Sequence, residues 1–171
     1  MPIAAYVVIE RLSAQHQRSD FDCGEPLLND FFQRQAGQLA RKGYGKTYVA
    51  LNDDKRTVIG FLTLSVGQLE AAYLSPDLKL PRSPAPVMRI GRLAVSLKAQ
   101  GHGVGQHLMA FALRLSLEFS QQVGLYAVLV EAKHAKAKAF YETLGFVATL
   151  DNPLRLYLPI STLKKNDSNQ P

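Results

Sequence analysis

Three glycines stand on alternate positions in the segment Gln100-Gly101-His102-Gly103-Val104-Gly105, and such a run can bind an anion through its backbone. Glycine reaches left-handed conformations at little cost, so the chain can turn sharply and aim several N–H groups at one point. Where a helix follows, its first unpaired N–H groups and its positive dipole end add to that field. A pyrophosphate fits such a nest, and Gly105 leaves room for it near the helix start. A dinucleotide fingerprint matches less well. It needs G-x-G-x-x-G with an acidic residue about 20 residues on, whereas Gly105 is followed by Gln106 and the only acid in that stretch is Glu118. The glycine run is not followed by the Gly-Lys-Ser/Thr of a nucleoside-triphosphate loop. A turn that merely joins two elements is the competing reading. His102 and His107 bracket the run without the spacing or company of metal ligands, so no metal is expected.

The run must follow a strand and precede a helix, and the flanking pattern supplies both. Residues 89–95 read as a strand. Residues 107–119 read as a helix, with Leu108, Phe111, Ala112, Leu115 and Phe119 on one stripe. Residues 125–130 are almost continuously apolar, as in a strand buried on both faces. Residues 135–144 form a second helix with Ala137, Phe140, Tyr141 and Leu144 on one face, and Gly145 is placed to end it. Residues 146–149 and 155–158 read as closing strands.

Earlier in the chain, residues 6–9 read as a first strand. Asp22 and Glu25 have the spacing of a capping box ahead of Pro26. Leu27, Leu28, Phe31, Phe32, Gln35 and Leu39 then recur at helical spacing as far as Gly43. Residues 47–51 and 57–66 predict a hairpin around a polar turn at 52–55. Prolines at 76, 81, 84 and 86 predict an ordered loop or flap over residues 74–86 rather than a central strand. The order of elements specifies an α/β domain with a mixed central sheet and flanking helices.

The 171 residues suffice for one domain, expected over residues 1–163, with a polar, flexible tail at 164–171. Lys and Arg number 20 against 14 Asp and Glu. The net charge of +6 suits anionic partners, or simply solubility. Cys23 is the only cysteine, which excludes an internal disulfide and a cysteine-rich metal site. It is expected to be a buried structural thiol rather than a nucleophile. Residues 1–10 lack the features of a signal peptide, and no apolar stretch approaches the roughly 20 residues needed to span a bilayer. The expected location is cytoplasmic, without membrane association.

Two motifs in order resemble the GNAT N-acetyltransferases. Gln100-x-x-Gly103-x-Gly105 matches the family's Gln/Arg-x-x-Gly-x-Gly/Ala turn. Ala137, Phe140, Tyr141, Gly145 and Phe146 match its next helix-and-strand motif, at the family's separation. A narrower resemblance runs through Phe21-Asp22-Cys23-Gly24, residues 27–32, Lys46-Thr47-Tyr48-Val49, and Arg89 to Val95 behind the proline-rich loop. These segments are similar to the acetyltransferase toxins of bacterial toxin–antitoxin pairs. That group uses acetyl-CoA to acetylate the α-amine of the aminoacyl group on charged tRNA, which blocks translation. Its antitoxins are ribbon-helix-helix DNA-binding proteins, and its toxins are often dimers. The resemblance therefore implies a GNAT fold, an acetyl-CoA cosubstrate, an aminoacyl-tRNA substrate, a ribbon-helix-helix antitoxin and a homodimer. Many family members carry Asn where His134 stands, and His134 is expected to cap its helix instead.

The resemblance also implies site roles. Leu93, Ala94 and Val95 would offer backbone groups to the pantetheine arm, with a bulge or strand splay freeing N–H groups for the thioester oxygen. Gln100, Gly101, His102, Gly103, Val104, Gly105 and Gln106 would hold the pyrophosphate, and Phe140 would lie beside the cofactor. Direct transfer needs a neutral amine, charge stabilisation on the carbonyl oxygen and a proton for the leaving thiolate. Tyr141 would supply that proton. Glu131 could relay the amine proton, or serve only in a salt bridge. Arg41, Lys42, Lys46, Lys79, Arg82, Arg89 and Arg92 are the candidate tRNA contacts, against the alternative of a solvated surface. Two rival readings stand beside this one. The first is an acetyltransferase for a small amine or a protein N-terminus. The second is a non-catalytic CoA-binding or interaction protein.

Overall fold

The computed structural model describes residues 7–168; Tyr6 of the expected first strand and residues 169–171 of the expected tail lie outside the described residues. Among the described residues, seven strands form one mixed sheet in the order β1-β2-β3-β4-β5-β7-β6. The strands are β1 (Val8–Arg11), β2 (Lys46–Leu51), β3 (Val58–Leu69), β4 (Ala85–Val95), β5 (Ala127–Glu131), β6 (Val147–Ala148) and β7 (Arg155–Pro159). The helices are α1 (Pro26–Asp30), α2 (Ala36–Arg41), α3 (Val104–Ser120), α4 (Ala135–Thr143) and α5 (Ile160–Ser168). Contacts divide the chain into two compact units. One comprises the residues up to Ser65 with Gly91–Ala112, and the other comprises Val66–Ile90 with the residues from Leu113 onward.

In the first unit, β1 and β3 both pair antiparallel to β2, which forms the expected hairpin. Asp54 closes the turn by accepting from the N–H groups of Arg56 and Thr57. The expected helix at 26–43 is present but not uniform. Phe31–Gln35 is a π-helical stretch between α1 and α2, with the Ala36 N–H bonded to Phe31 O. Phe31 and Phe32 are both buried. The extra residue in that turn swings these adjacent rings onto the core side, which a regular 3.6-residue period would separate more widely. Phe32 stacks on Phe61 with centroids 4.5 Å apart, and Phe21 meets Phe32 edge-on at 4.9 Å. Leu27, expected on the apolar stripe, is instead 85% exposed. The expected capping box does not form. Glu25 is the N-cap but its side chain does not cap the helix, and Asp22 Oδ1 accepts from Gly24 N–H and from the Asn29 amide.

Gly60 of β3 decides how closely α3 can be seated. A Cβ there would stand 3.0 Å from Leu108 Cδ1, 3.0 Å from Val104 Cγ1 and 3.1 Å from Ala94 O. Only a residue without a side chain lets the first turn of α3 lie so near the strand backbone. Leu108 and Ala112 of the expected stripe are fully buried. The helix itself begins at Val104, three residues earlier than the periodicity indicated, so the end of the glycine run is already its first turn.

In the second unit, β4 pairs parallel to β5 from Val87↔Ala127 to Ile90↔Val130, and β5 pairs antiparallel to β7. The expected loop at 74–86 ends earlier than predicted, because Pro86 is already the second residue of β4. Its carbonyl still accepts from Tyr126 N–H at 2.8 Å. Proline is tolerated near a strand start, where a missing donor breaks little of the ladder. Residues 164–168, expected in a polar tail, continue α5, which starts at buried Ile160 with its N–H on Tyr126 O. Among the described residues, no helix is long and apolar enough to cross a membrane.

The Gly60→Ala variant is expected to lose about 1–3 kcal/mol by overpacking, read from the denaturant midpoint. An unchanged midpoint would show that α3 is not seated in this way.

Candidate active site

The glycine run adopts the conformations its composition predicts. Gly101 and Gly103 have φ of +83° and +81°, in the region that favours glycine. The first intrahelical amide bond of α3 is from His107 N–H to Gly103 O at 3.1 Å. The amides of Val104, Gly105 and Gln106 therefore precede the helical ladder and point out of the head of a 17-residue helix. A Cβ on Gly101 would meet nothing within 4 Å, so the outer face of the turn is open. The residues present fit a pyrophosphate, with several donors and a favourable dipole end; the exposed Gln106 side chain lies beside Gly103, its Oε1 3.6 Å from where a Cβ would stand. Val104 is buried, while Gln100, His102 and Gln106 are exposed.

The turn is braced by a segment far away in sequence. The Gln100 amide donates to Val95 O at 3.0 Å and to Cys23 O at 3.3 Å. Gln100 thus holds the turn in place with its side chain rather than presenting that side chain to a ligand. Leu97 N–H donates to Asp22 O, and the Leu97 side chain lies 3.1 Å from where a Gly24 Cβ would be. Gly24 has φ +88°, so both its space and its conformation require glycine. The Phe21-Asp22-Cys23-Gly24 segment is therefore a strut for the turn. Local sequence marks the segment but not this role, since the partners lie more than 70 positions apart. Cys23 is buried, as expected of a structural thiol. Leu93, Ala94 and Val95 lie at the end of β4, with Ala94 buried and its two neighbours half-buried.

In the second unit, α4 carries Tyr141 at its C-terminal end. His134 N-caps the helix as expected, accepting from Ala137 N–H through Nδ1 at 3.1 Å. The other end is a Schellman motif. Gly145, at φ +97°, donates to Glu142 O, and Phe146 N–H reaches back to Tyr141 O. The motif's apolar contact is between the Tyr141 and Phe146 rings, with centroids 5.9 Å apart. Phe140 flanks Tyr141 at 5.4 Å. Tyr141, Gly145 and Phe146 thus form one local device that sets the phenol's position. Burial pushes the Tyr141 phenol up to about 12, so it carries its proton throughout the physiological range.

The basic candidates have different surroundings. Arg89 Nη2 lies 3.7 Å from Glu131 Oε1, and Arg155 Nε lies 3.6 Å from the same oxygen. Glu131 therefore joins an ion-pair network, the salt-bridge alternative raised for it above. The Arg92 guanidinium sits 3.7 Å over the Phe31 ring, a cation–π contact. Lys46 donates to Ala40 O at 3.0 Å. Lys42 ends α2 as its C-cap. Lys79 holds a left-handed turn at φ +50°, and Arg82 is exposed in the proline-rich loop. Arg41 and Lys46 line one recess together with Arg11 and Arg18, which are not among the candidates above. Arg11 and Arg18 flank a loop rather than a motif, so no local pattern marks them. Among the described residues, no group of three or more His, Cys, Asp or Glu could hold a metal ion.

An open amide nest for a diphosphate, served by a helix dipole, suits an enzyme that handles a nucleotide-linked donor. The chain matches the acetyltransferase (GNAT) family model over residues 7–146 and belongs to that family. It is an acetyltransferase that uses acetyl-CoA. It is 32% identical over 159 residues to a tRNA-acetylating toxin of Mycobacterium tuberculosis (strain ATCC 25618 / H37Rv), covering 91% of this chain and 93% of the relative. Its fold matches that of AtaT complexed with acetyl-methionyl-tRNAfMet with a TM-score of 0.88 and 31% identity, covering 95% of this chain and 99% of that one. A tyrosine-to-phenylalanine mutant of the AtaT toxin, bound to the C-terminus of the antitoxin AtaR and acetyl-CoA, is similar at TM-score 0.83. It is 29% identical, covering 95% of this chain and 99% of that one.

Replacing Gln100 by Ala removes two hydrogen bonds that hold the turn and leaves the amides themselves in place. Acetyl-CoA affinity is expected to fall roughly threefold to tenfold, with turnover at saturating cosubstrate within about twofold of the parent. Unaltered affinity would remove the bracing role.

Proposed function

We propose that this enzyme transfers the acetyl group of acetyl-CoA to the α-amine of the aminoacyl group on charged tRNA, and so inhibits translation as the toxin of a toxin–antitoxin pair. The open nest made by Gly101, Gly103 and the head of α3 carries the acetyl-CoA part of this reading. The likeness to the M. tuberculosis toxin across nine-tenths of the chain supports the choice of acceptor. The cognate partner in this reading is a ribbon-helix-helix antitoxin, and the toxin acts as a cytoplasmic homodimer.

Each group has a defined task. The nest amides hold the pyrophosphate, and the backbone at Leu93, Ala94 and Val95 receives the pantetheine arm, with Phe140 beside it. The neutral amine attacks the thioester carbonyl, a C–N bond forms, and backbone N–H groups stabilise the developing oxyanion. The C–S bond then breaks, Tyr141 gives its proton to the departing sulfur, and the amine proton leaves to solvent, from which the phenol is recharged. With its pKa near 12, Tyr141 remains protonated and able to donate, while full transfer to a thiolate is uphill. The donation therefore starts as a hydrogen bond that strengthens as charge develops on sulfur, and its completion is drawn forward as solvent recharges the phenol.

Labelled acetyl-CoA incubated with total charged tRNA, and with deacylated tRNA as control, is expected to label the charged species alone. Robust transfer to a small amine with no label on either RNA would replace this acceptor. Tyr141→Phe keeps the ring and removes the hydroxyl, and is expected to reduce turnover roughly 10- to 1,000-fold. The raised pKa also has a pH signature. Its contribution to folding stability is complete below the unfolded value of about 10 and is lost as pH rises through about 12. No alkaline loss of activity below about pH 10 is expected from this group, as a pH–rate profile of parent and Tyr141→Phe would check.

A further inference from the structure

A recess of about 250 Å³ in the first unit is lined by four cations, Arg11, Arg18, Arg41 and Lys46, and by no carboxylate. Its geometry is specific. Arg18 Nη1 and Arg41 Nη1 lie 3.3 and 3.4 Å from the point where a Gly37 Cβ would stand, so the two guanidinium groups converge over one glycine. Among the described residues, Arg11, Arg18 and Arg41 make no ion pair. Converging like charges repel one another, most strongly where water is partly excluded. Gly37, the second residue of α2, is also a poor helix former, and an alanine there would favour the helix but push the guanidinium groups outward. Both features disfavour the isolated fold at the same place, and an anion seated there offsets both.

The recess is also held ready. The loop between Arg11 and Arg18 is pinned by buried His16. Its Nδ1 accepts from Ser13 N–H at 2.9 Å, and its Nε2 lies 2.6 Å from Glu10 Oε1. Lys46 is tied to Ala40 O at the end of α2, which keeps its charge at the rim. Ser13 and Thr47 add hydroxyl groups to the lining, and no aromatic ring is present for a base to stack on. Paired guanidinium groups with hydroxyls and no stacking surface select a tetrahedral oxyanion and ignore base identity.

We propose that this recess seats one backbone phosphate of the RNA substrate, as a sequence-independent anchor separate from the acetyl-transfer chemistry. The proposal rests on charged tRNA being the substrate, and its test separates the two claims. Binding of deacylated tRNA is measured against salt for the full chain and for the Arg18→Gln, Arg41→Gln double variant. The double variant is expected to bind about tenfold more weakly, with the log–log salt slope reduced by about 1 to 2. Acetyl-CoA affinity should not change. Gly37→Ala keeps every charge and should weaken RNA binding in the same direction without lowering the melting temperature, which a merely structural role would not produce.

Unchanged affinity and slope in the folded double variant overturn the anchor and leave the proposed acceptor standing. If charged tRNA is not acetylated but the double variant still binds RNA more weakly, the acceptor falls, and the recess keeps its phosphate-binding role but loses its role as a substrate anchor. Absence of RNA binding by the unaltered protein overturns both. Tighter competition for the recess by polyglutamate than by RNA would make it a protein-docking site and overturn the anchor.

Discussion

The donors at the head of α3 belong to the backbone, and the glycines leading into the helix add no side chain of their own beside them. A helix start leaves its first N–H groups without partners, and most proteins satisfy them with a capping side chain or water. Here the residues just before α3 include two glycines held at positive φ, which lead the chain into the helix without placing a side chain over those donors. The helix is seated against the sheet by the absence of a side chain at Gly60. In the proposed reading, binding of the donor depends on where side chains are missing, and a Cβ at Gly60 would stand 3.1 Å from the Ala94 oxygen, a backbone atom that cannot rotate away.

The remaining parts hold this arrangement steady. The strut formed by residues 21–24 meets the loop before the turn through one backbone bond, the Gln100 amide and the packing of Leu97 against Gly24. In the second unit, a Schellman motif orients the buried phenol by helix-end hydrogen bonding together with ring packing. Both devices are local and inexpensive in contacts. Each accounts for its residues by backbone geometry, independently of any direct part in catalysis.

The net charge of +6 does not act as one uniform surface. Arg89 shares Glu131 with Arg155, and Arg92 is engaged by an aromatic ring. Exposed ion pairs of this kind contribute little stability, typically about 0–1 kcal/mol. Arg18 and Arg41 are different because their charges converge without a carboxylate. The positions most informative about an anionic partner are therefore those where the fold concentrates charge without neutralising it.

Patterns confined to a dozen neighbouring residues could be read directly. The stripe of α3, the buried run of β5, the hairpin turn at Asp54 and the glycine run all carry their structural meaning locally, because backbone sterics and hydrophobic periodicity act over short distances. The exceptions share a different cause. The π-helical turn at Phe31, the entry of Pro86 into β4 and the formation of α5 from a polar segment depend on what the rest of the chain packs against them. The bracing role of Gln100 and the convergence of Arg18 and Arg41 over Gly37 were likewise invisible, since each joins residues from separate elements. Local composition specified the elements and the chemistry they could support. Long-range packing chose which side chains became ligands, which became struts and which charges were left facing one another, because those outcomes depend on distances that no one segment contains.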